Sequence, residues 1–366
     1  MKKIIFNGKF LSANMTGVHR VAEALLHELD DMANDKECLK NAEIFGPKNV
    51  KRQLSKTGYK HLKIGRLTGP LWEQLDLPRY TRKNILVNFC NLAPLFSRNS
   101  ITMIHDAQVY LTPKSYSRFF LLWYKFALPT IGRRHAKILT VSEFSKSQLV
   151  KFGVAKADKI HVVHNGVDHM ADVGADLSII EKLNLSGEVY FCGLSNTQEH
   201  KNIKVLFNVM ASESMRNTKL VLIGGTSREQ FESNGAVIPD NVIFSGRVTD
   251  EEMRSLIEGA LCYLFPSTTE GFGLPPLESM LLGTPAIVAP NGALPEVCGK
   301  AALYAAPDAP QQWIDAINRL IKDKTFRQKL SEQGVLRAKD FTWRRAAEKV
   351  LAVIEGVAPQ AIGKGS

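Results

Sequence analysis

Glu270 and Glu278 bracket seven residues in the run Pro266-Ser267-Thr268-Thr269-Glu270-Gly271-Phe272-Gly273-Leu274-Pro275-Pro276-Leu277-Glu278. The two carboxylates are unsuited to holding a phosphate, because like charges repel. They are suited to accepting hydrogen bonds from the hydroxyls of a sugar or ribose, each charge-assisted bond contributing roughly 1.5–3 kcal/mol. The residues around them supply what a phosphate needs. A strand-like run, Ala260 to Phe265, leads in, and a helix-like run, Leu277 to Leu282, leads out to Gly283-Thr284-Pro285. A strand, a glycine-bearing turn and a helix start offer backbone N–H groups and the positive end of a helix dipole to an anion such as a diphosphate. The segment therefore predicts a site for a sugar joined to a nucleotide diphosphate.

Other elements must bring further groups to it. Lys201 follows the strand-like run Glu188 to Gly193 and stands where a helix is expected to begin. A lysine there opposes the helix dipole, a cost that pairing with a diphosphate would offset. Arg247 and Val248 follow another strand, Val242 to Gly246, and Thr249 or Asp250 caps the next helix. Asp250 is also of a type that accepts from guanine N1–H and N2–H. In the first half, His105 and Asp106 end the strand-like run Ser100 to Ile104, at the strand end where ligands gather in doubly wound sheets. Thr16 is expected to cap a helix whose apolar face is Val18, Val21, Leu25, Leu26 and Leu29, with Gly17 just inside its start.

Taken in order, these pieces resemble the retaining family 4 glycosyltransferases, with their E-x7-E signature and GT-B fold. The matching segments are Met1 to Phe6, Thr16-Gly17-Val18, Thr102 to Asp106, Thr140 to Ser145, Asn165 to Asp168, His200-Lys201-Asn202, Phe244 to Val248 and the double-glutamate loop. The resemblance implies an α/β chain of two Rossmann-like, doubly wound domains facing across a cleft. Residues 1–165 would bind the acceptor and residues 166–340 the nucleotide sugar, with a C-terminal helix at about 341–358 crossing back. It implies that Glu270 accepts from sugar hydroxyls, that the Gly271-Phe272-Gly273 backbone and Leu274 lie against the sugar and phosphate, and that Glu278 holds the ribose. Lys201 would neutralise the diphosphate, and His105 would lie near the donor sugar and its phosphate. Gly17 and Gly193 would allow close backbone approach, Val248 would meet the base, and the loop Pro290 to Glu296 would meet the donor sugar. The family often carries an arginine beside this lysine, where Leu194, Ser195 and His200 stand, so His200 or Arg247 is expected to supply the second positive charge.

The resemblance is greatest to bacterial mannosyltransferases that build surface polysaccharides. It implies transfer with retention by front-face attack, GDP-mannose favoured over UDP-sugars, and a glycan or lipid-linked acceptor. No D-x-D element occurs, and no metal or cofactor is expected. His161 and His164 do not suggest a metal site, since i and i+3 in a strand face opposite ways. No G-x-G-x-x-G occurs, which argues against a nicotinamide dehydrogenase. A UDP-sugar transferase, a nucleotide-sugar epimerase of the same fold and an inactive glycosyltransferase-like scaffold remain as alternatives.

The 366 residues suffice for two cores. Charge is divided between them: residues 1–165 hold 27 Lys and Arg against 12 Asp and Glu, a net +15, and the remainder is −4, together the +11 of the chain. Without a nucleic-acid-binding module, this excess points to an anionic membrane surface, where each nearby basic side chain gains about 1 kcal/mol. The five scattered cysteines, the lack of a signal-peptide pattern and the absence of an uninterrupted apolar stretch of ~20 residues predict a cytoplasmic protein, peripheral on the inner face of the membrane. Residues 44–70 read as a mobile basic surface. Tyr116 to His135 reads as one or two basic amphipathic helices packed on the sheet, with membrane contact as the other reading. Residues 168–187 read as an irregular linker and residues 363–366 as a disordered end.

Overall fold

The computed structural model describes residues 2–54 and 57–357. The expectation for residues 363–366 lies outside these. The chain divides into two compact units, Met1–Gly166 with Trp343–Ser366, and Val167–Thr342.

The first unit is built on a parallel sheet of seven strands: β1 (Ile4–Asn7), β2 (Glu43–Gly46), β3 (Lys60–Lys63), β4 (Ile85–Asn88), β5 (Ser100–Met103), β6 (Lys137–Thr140) and β7 (Ile160–Val162). Their order is β3-β2-β1-β4-β5-β6-β7. β1, β4 and β5 are buried along their whole length, as a parallel strand covered on both faces must be. The sheet grows outward in both directions from β1 and β4, so its topological switch point lies between them. Thr16 caps the helix Gly17–Asp31 by accepting from His19 N–H, and that helix buries Val21, Leu25, Leu26 and Leu29 and packs against the helix Trp343–Val357. The latter starts two residues beyond the expected 341.

Two expectations, one for this unit and one for the start of the second, are corrected. Residues 44–70 contain β2 and the edge strand β3, Lys60-His61-Leu62-Lys63. Lys60 and Lys63 on this exposed edge strand deter pairing with other chains, whereas Lys48, Lys51, Arg52 and Arg66 lie in the irregular segments around it. Residues 168–187 contain two short helices, Asp168–Ala171 and Ser178–Lys182, anchored by the buried Met170 and Ile179. The segment Tyr116 to His135 forms one helix, Arg118–Arg134, capped by Ser117. Ala127, Leu128 and Ile131 are buried, whereas Phe119 is 84% and Leu122 72% exposed, with Trp123 and Phe126 also exposed. No helix among the described residues is long and apolar enough to cross a membrane.

The second unit carries a parallel sheet of six strands: β8 (Tyr190–Leu194), β9 (Lys219–Ile223), β10 (Val242–Gly246), β11 (Cys262–Phe265), β12 (Ala286–Val288) and β13 (Leu303–Tyr304). The order β10-β9-β8-β11-β12-β13 puts its switch point between β8 and β11. One face is filled by Phe191, Leu206, Leu220, Leu264, Trp313 and Ile317, supplied by the strands and the helices Ile203–Met210 and Pro310–Lys322.

Candidate functional site

The loops leaving β8 and β11 meet over the carboxyl ends of these strands, the place where open α/β sheets bind ligands. Backbone and side-chain bonds stitch the two loops together. Thr268 donates from N and Oγ1 to the His200 carbonyl at 2.8 and 3.3 Å. Asn202, in the left-handed region at φ 54°, donates to the carbonyls of Pro266 and Pro307 at 3.2 and 2.7 Å. This joint brings Lys201 Nζ to 2.6 Å from Glu270 Oε1, with the two side chains only 16% and 12% exposed. The helix after the lysine begins at Ile203, so Lys201 sits in the turn ahead of the cap rather than in the first helical turn. Its charge is compensated by Glu270 without invoking a ligand.

Two glycines shape the glutamate loop. Gly292 has φ 64°, and a Cβ there would stand 2.5 Å from the Glu270 nitrogen. The loop Pro290 to Glu296 therefore closes directly on Glu270, and Ala293 N–H donates to its carbonyl at 3.0 Å. The signal for this was the dipeptide Asn291-Gly292. Gly273, at φ 109°, precedes the helix Leu274–Leu281, which starts three residues before the expected Leu277. Pro275 and Pro276 then occupy the first turn and carry no N–H. The helix start thus offers fewer backbone donors to an anion than its sequence position implied, and those remaining centre on Gly273 and Leu274. Phe272 is buried edge-to-face on Phe341 at 5.8 Å, which anchors the turn.

Glu278 is buried on the second turn of that helix, with His169 Nε2 3.6 Å from its Oε1. The helix Asp168–Ala171, which sequence reading took for linker, packs on Leu274–Leu281 and delivers this histidine. No local pattern announced it. Tyr263 on β11 reports on both carboxylates: burial raises its phenol well above the usual range, and neighbouring Cys192, Glu278 and Glu270 push it further.

The expectation for the second positive charge is resolved by burial. Desolvation, with the nearby Lys201 charge, holds His200 below the ordinary imidazole value despite Glu270. A histidine so depressed is neutral at pH 7 and supplies no cation. Arg247 is exposed and lies against Gly225, where an added Cβ would meet its Nε at 3.0 Å. The adjacent Gly224 abuts the Ser195 carbonyl in the same way, so Arg247 borders the β8 loop. Thr249 forms a capping box with Glu252, and Asp250 is the first residue of the helix Asp250–Gly259, with Val248 half-buried ahead of it. Gly193 lies inside β8, where a Cβ would crowd Leu222 and the Leu264 carbonyl at 3.3 Å, so packing alone accounts for it.

His105 and Gly17 belong to the first unit. His105 follows β5, its N–H donating to Asn91 Oδ1 and its Nε2 to the Phe89 carbonyl, both at 2.8 Å. The ring therefore carries its proton on Nε2 and presents Nδ1 as an acceptor. Burial lowers its pKa to about 4. A neutral acceptor suits a sugar hydroxyl, not a phosphate. At Gly17 an added Cβ would meet nothing within 4 Å, so packing does not demand glycine there. Among the described residues, no three His, Cys, Asp or Glu side chains gather as a metal site.

Two family models match the chain: one described as Glycosyltransferase Family 4, over residues 85–170, and one as Glycosyl transferases group 1, over residues 177–337. The chain is 26% identical over 263 residues to O-antigen chain mannosyltransferase B of Escherichia coli, covering 69% of each. It is 28% identical over 247 residues to O-antigen chain mannosyltransferase RfbU of Salmonella typhimurium, covering 67% of each. In fold it is similar to sucrose-phosphate synthase from Thermosynechococcus elongatus, with TM-score 0.75, 17% identity and 98% and 99% of the two chains covered. A structure of Anabaena HepE in complex with UDP and glucose matches with TM-score 0.74, 18% identity and 97% and 100% covered.

Proposed function

The chain is a glycosyltransferase of the GT-B fold and of the family 4 kind, and from that premise we propose that it moves mannose from GDP-mannose to a glycan or lipid-linked acceptor in cell-surface polysaccharide synthesis, with retention at the anomeric carbon. The observation that carries this reading is the Lys201–Glu270 pair at the switch point, beside the Gly273 turn and the buried Glu278. The lysine is held by the glutamate. A nucleotide-diphosphate sugar satisfies both groups at once: the diphosphate takes Lys201, and the sugar hydroxyls donate to Glu270. Glu278 receives the ribose hydroxyls. Arg247 supplies the second cation, and Asp250 with the Val248 backbone meets the base.

In the transfer, the bond from the anomeric carbon to the diphosphate oxygen breaks as the acceptor hydroxyl oxygen attacks from the same face. The acceptor proton passes to the departing phosphate. Lys201, Arg247 and the Gly273–Leu274 N–H groups stabilise charge that grows on the diphosphate, work a metal would otherwise do. His105 Nδ1 accepts from a sugar hydroxyl. The mannosyltransferase relatives support the donor sugar; the guanine base rests on Asp250.

The test is thermal unfolding with GDP, UDP and ADP, each with a chelator present. A ligand at about 100 times its Kd adds roughly 2.7 kcal/mol to stability. A shift with GDP alone supports the reading, a shift with UDP alone replaces the donor, and no shift with any of them favours an inactive scaffold. The exposed Phe119, Leu122, Trp123 and Phe126, flanked by Arg118 and Lys125, support contact with an anionic membrane. A blue shift of Trp123 emission on phosphatidylglycerol vesicles, absent on phosphatidylcholine, is expected; equal spectra on both would remove that part of the reading.

A further inference from the structure

In the second unit, residues 167–182 form a strap across two helices. Its first helix, Asp168–Ala171, packs on Leu274–Leu281, which carries Glu278. Its second, Ser178–Lys182, packs on Asp250–Gly259, which carries Asp250. Bonds fix the strap at several points. Val167 N–H donates to the Phe341 carbonyl at 3.0 Å, and Asp176 N–H to the Glu251 carbonyl at 3.2 Å. Between them Arg254, itself paired with Glu258 at 2.8 Å, turns Nη1 to the carbonyls of Met170, Ala171 and Val173. Met170 is wholly buried, which fixes the rotation of the short helix about its axis and holds the neighbouring His169 toward Glu278.

The separation within this pair decides what it can do. His169 Nε2 lies 3.6 Å from Glu278 Oε1, within ion-pair range but too long for a direct hydrogen bond. The Lys201–Glu270 pair, by contrast, is closed at 2.6 Å. A nitrogen lone pair facing a carboxylate is repelled, so Nε2 carries the proton and presents its N–H to Oε1. The imidazole thus orients the carboxylate without taking an acceptor position in a direct bond. A carboxylate has about four such positions. The two neighbouring hydroxyls of a ribose need only two. Ordering a long side chain at the moment of binding costs rotamer freedom. A glutamate already oriented in the folded chain spares the ligand that cost.

Charge balance is the simpler role, since a buried carboxylate without a partner is costly. The two roles differ in what they change. Loss of charge balance lowers the stability of the unit and weakens every nucleotide alike. Loss of orientation weakens only the ligands whose sugar donates to Glu278.

We propose that His169 is a positioning residue, which sets the Glu278 carboxylate for the ribose hydroxyls and so makes the site prefer ribonucleoside diphosphates to their deoxy analogues. This rests on the reading of Glu278 as the ribose acceptor. The test is calorimetric titration of the full chain with GDP, 2′-deoxy-GDP and 3′-deoxy-GDP, and with the same three forms of UDP, so that the base does not decide the result. Wild type is expected to bind a ribonucleotide about tenfold more tightly than at least one of its deoxy forms. His169→Leu keeps the bulk and loses the N–H; it is expected to shrink that preference to about threefold or less, through weaker binding of the ribonucleotide. His169→Gln keeps a donor and is expected to retain most of the preference. Should His169→Leu fail to fold, His169→Ala takes its place. Glu278→Ala separates the premise from the proposal. If it abolishes the preference while the variant lacking the N–H keeps the wild-type value, or weakens all six ligands equally, His169 serves charge balance alone and the proposal is overturned. If wild type shows no preference, or Glu278→Ala keeps it, the ribose reading of Glu278 falls and the proposal with it.

Discussion

Each unit places a lysine–glutamate pair at its switch point, after the first strand of its sheet: Lys9–Glu73 beyond β1 and Lys201–Glu270 beyond β8, both at 2.6 Å. The surroundings differ. Around Lys201 the loops turn on closely packed glycines at positive φ, Gly273 and Gly292, and the exposed Arg247 stands nearby. Around Lys9 the surroundings are side chains, Asn7, Asn88 and Thr102, bonded in series and neutral. The same geometry is thus set in two different chemical surroundings. A glycine turn with an exposed cation beside it suits a diphosphate; satisfied side chains with spare acceptors suit hydroxyls.

The largest effect expected from this contrast is on rate. Lys201→Ala should lower kcat by about 10²–10³-fold, the usual size for removing a group aimed at developing charge. Steady-state kinetics decide it: a rise in KM with kcat unchanged would make Lys201 a binding group only. Lys9→Ala should act the other way, on stability. It leaves Glu73 buried and unpaired, which costs about 3 kcal/mol. Urea unfolding measures it, and an unchanged midpoint would mean that Glu73 does not depend on its lysine.

The same contrast explains what the sequence disclosed. Glu270, Gly273 and Glu278 lie in one contiguous run, and Lys201 in another, so side-chain type and spacing were enough to nominate them, and the fold brings Lys201 to Glu270. The strands β5, β8, β10 and β11 were legible as short apolar runs between turn residues. A cavity at the switch point of the first unit draws on Lys9, His19, Glu73 and Tyr124, which share no local pattern; only strand order brings them together. His169 escaped for the same reason. Two features were not legible: burial lowers the His200 pKa, and the helix expected from Leu277 starts at Leu274, which puts Pro275 and Pro276 in its first turn and removes two donors.

Acid should separate the units next. Burial lowers both His105 and His135 to about 4, and both lie in the first unit. Because the folded values are depressed, the unfolded chain takes up these protons first. Stability is then complete above about pH 6.5 and falls as pH drops toward 4, by up to about 3 kcal/mol for each ring. NMR titration of the imidazole protons checks the premise; rings that titrate near 6.5 would refute it.

The smallest effect distinguishes the two glutamates that carry the argument. On the proposed reading, Glu278→Ala removes an acceptor from ribose hydroxyls and should raise the nucleotide Kd by about tenfold, the lower end for a charge-assisted bond. The helix Leu274–Leu281 should survive, since alanine is the better helix former and Glu278 forms no cap. Glu73→Gln should leave the same constant untouched, because every group that holds Glu73 lies in the first unit. Calorimetric titration of both variants with GDP reads the difference. Equal losses would mean that the two switch points bind one ligand jointly, and no loss in Glu278→Ala would take that residue out of the nucleotide site.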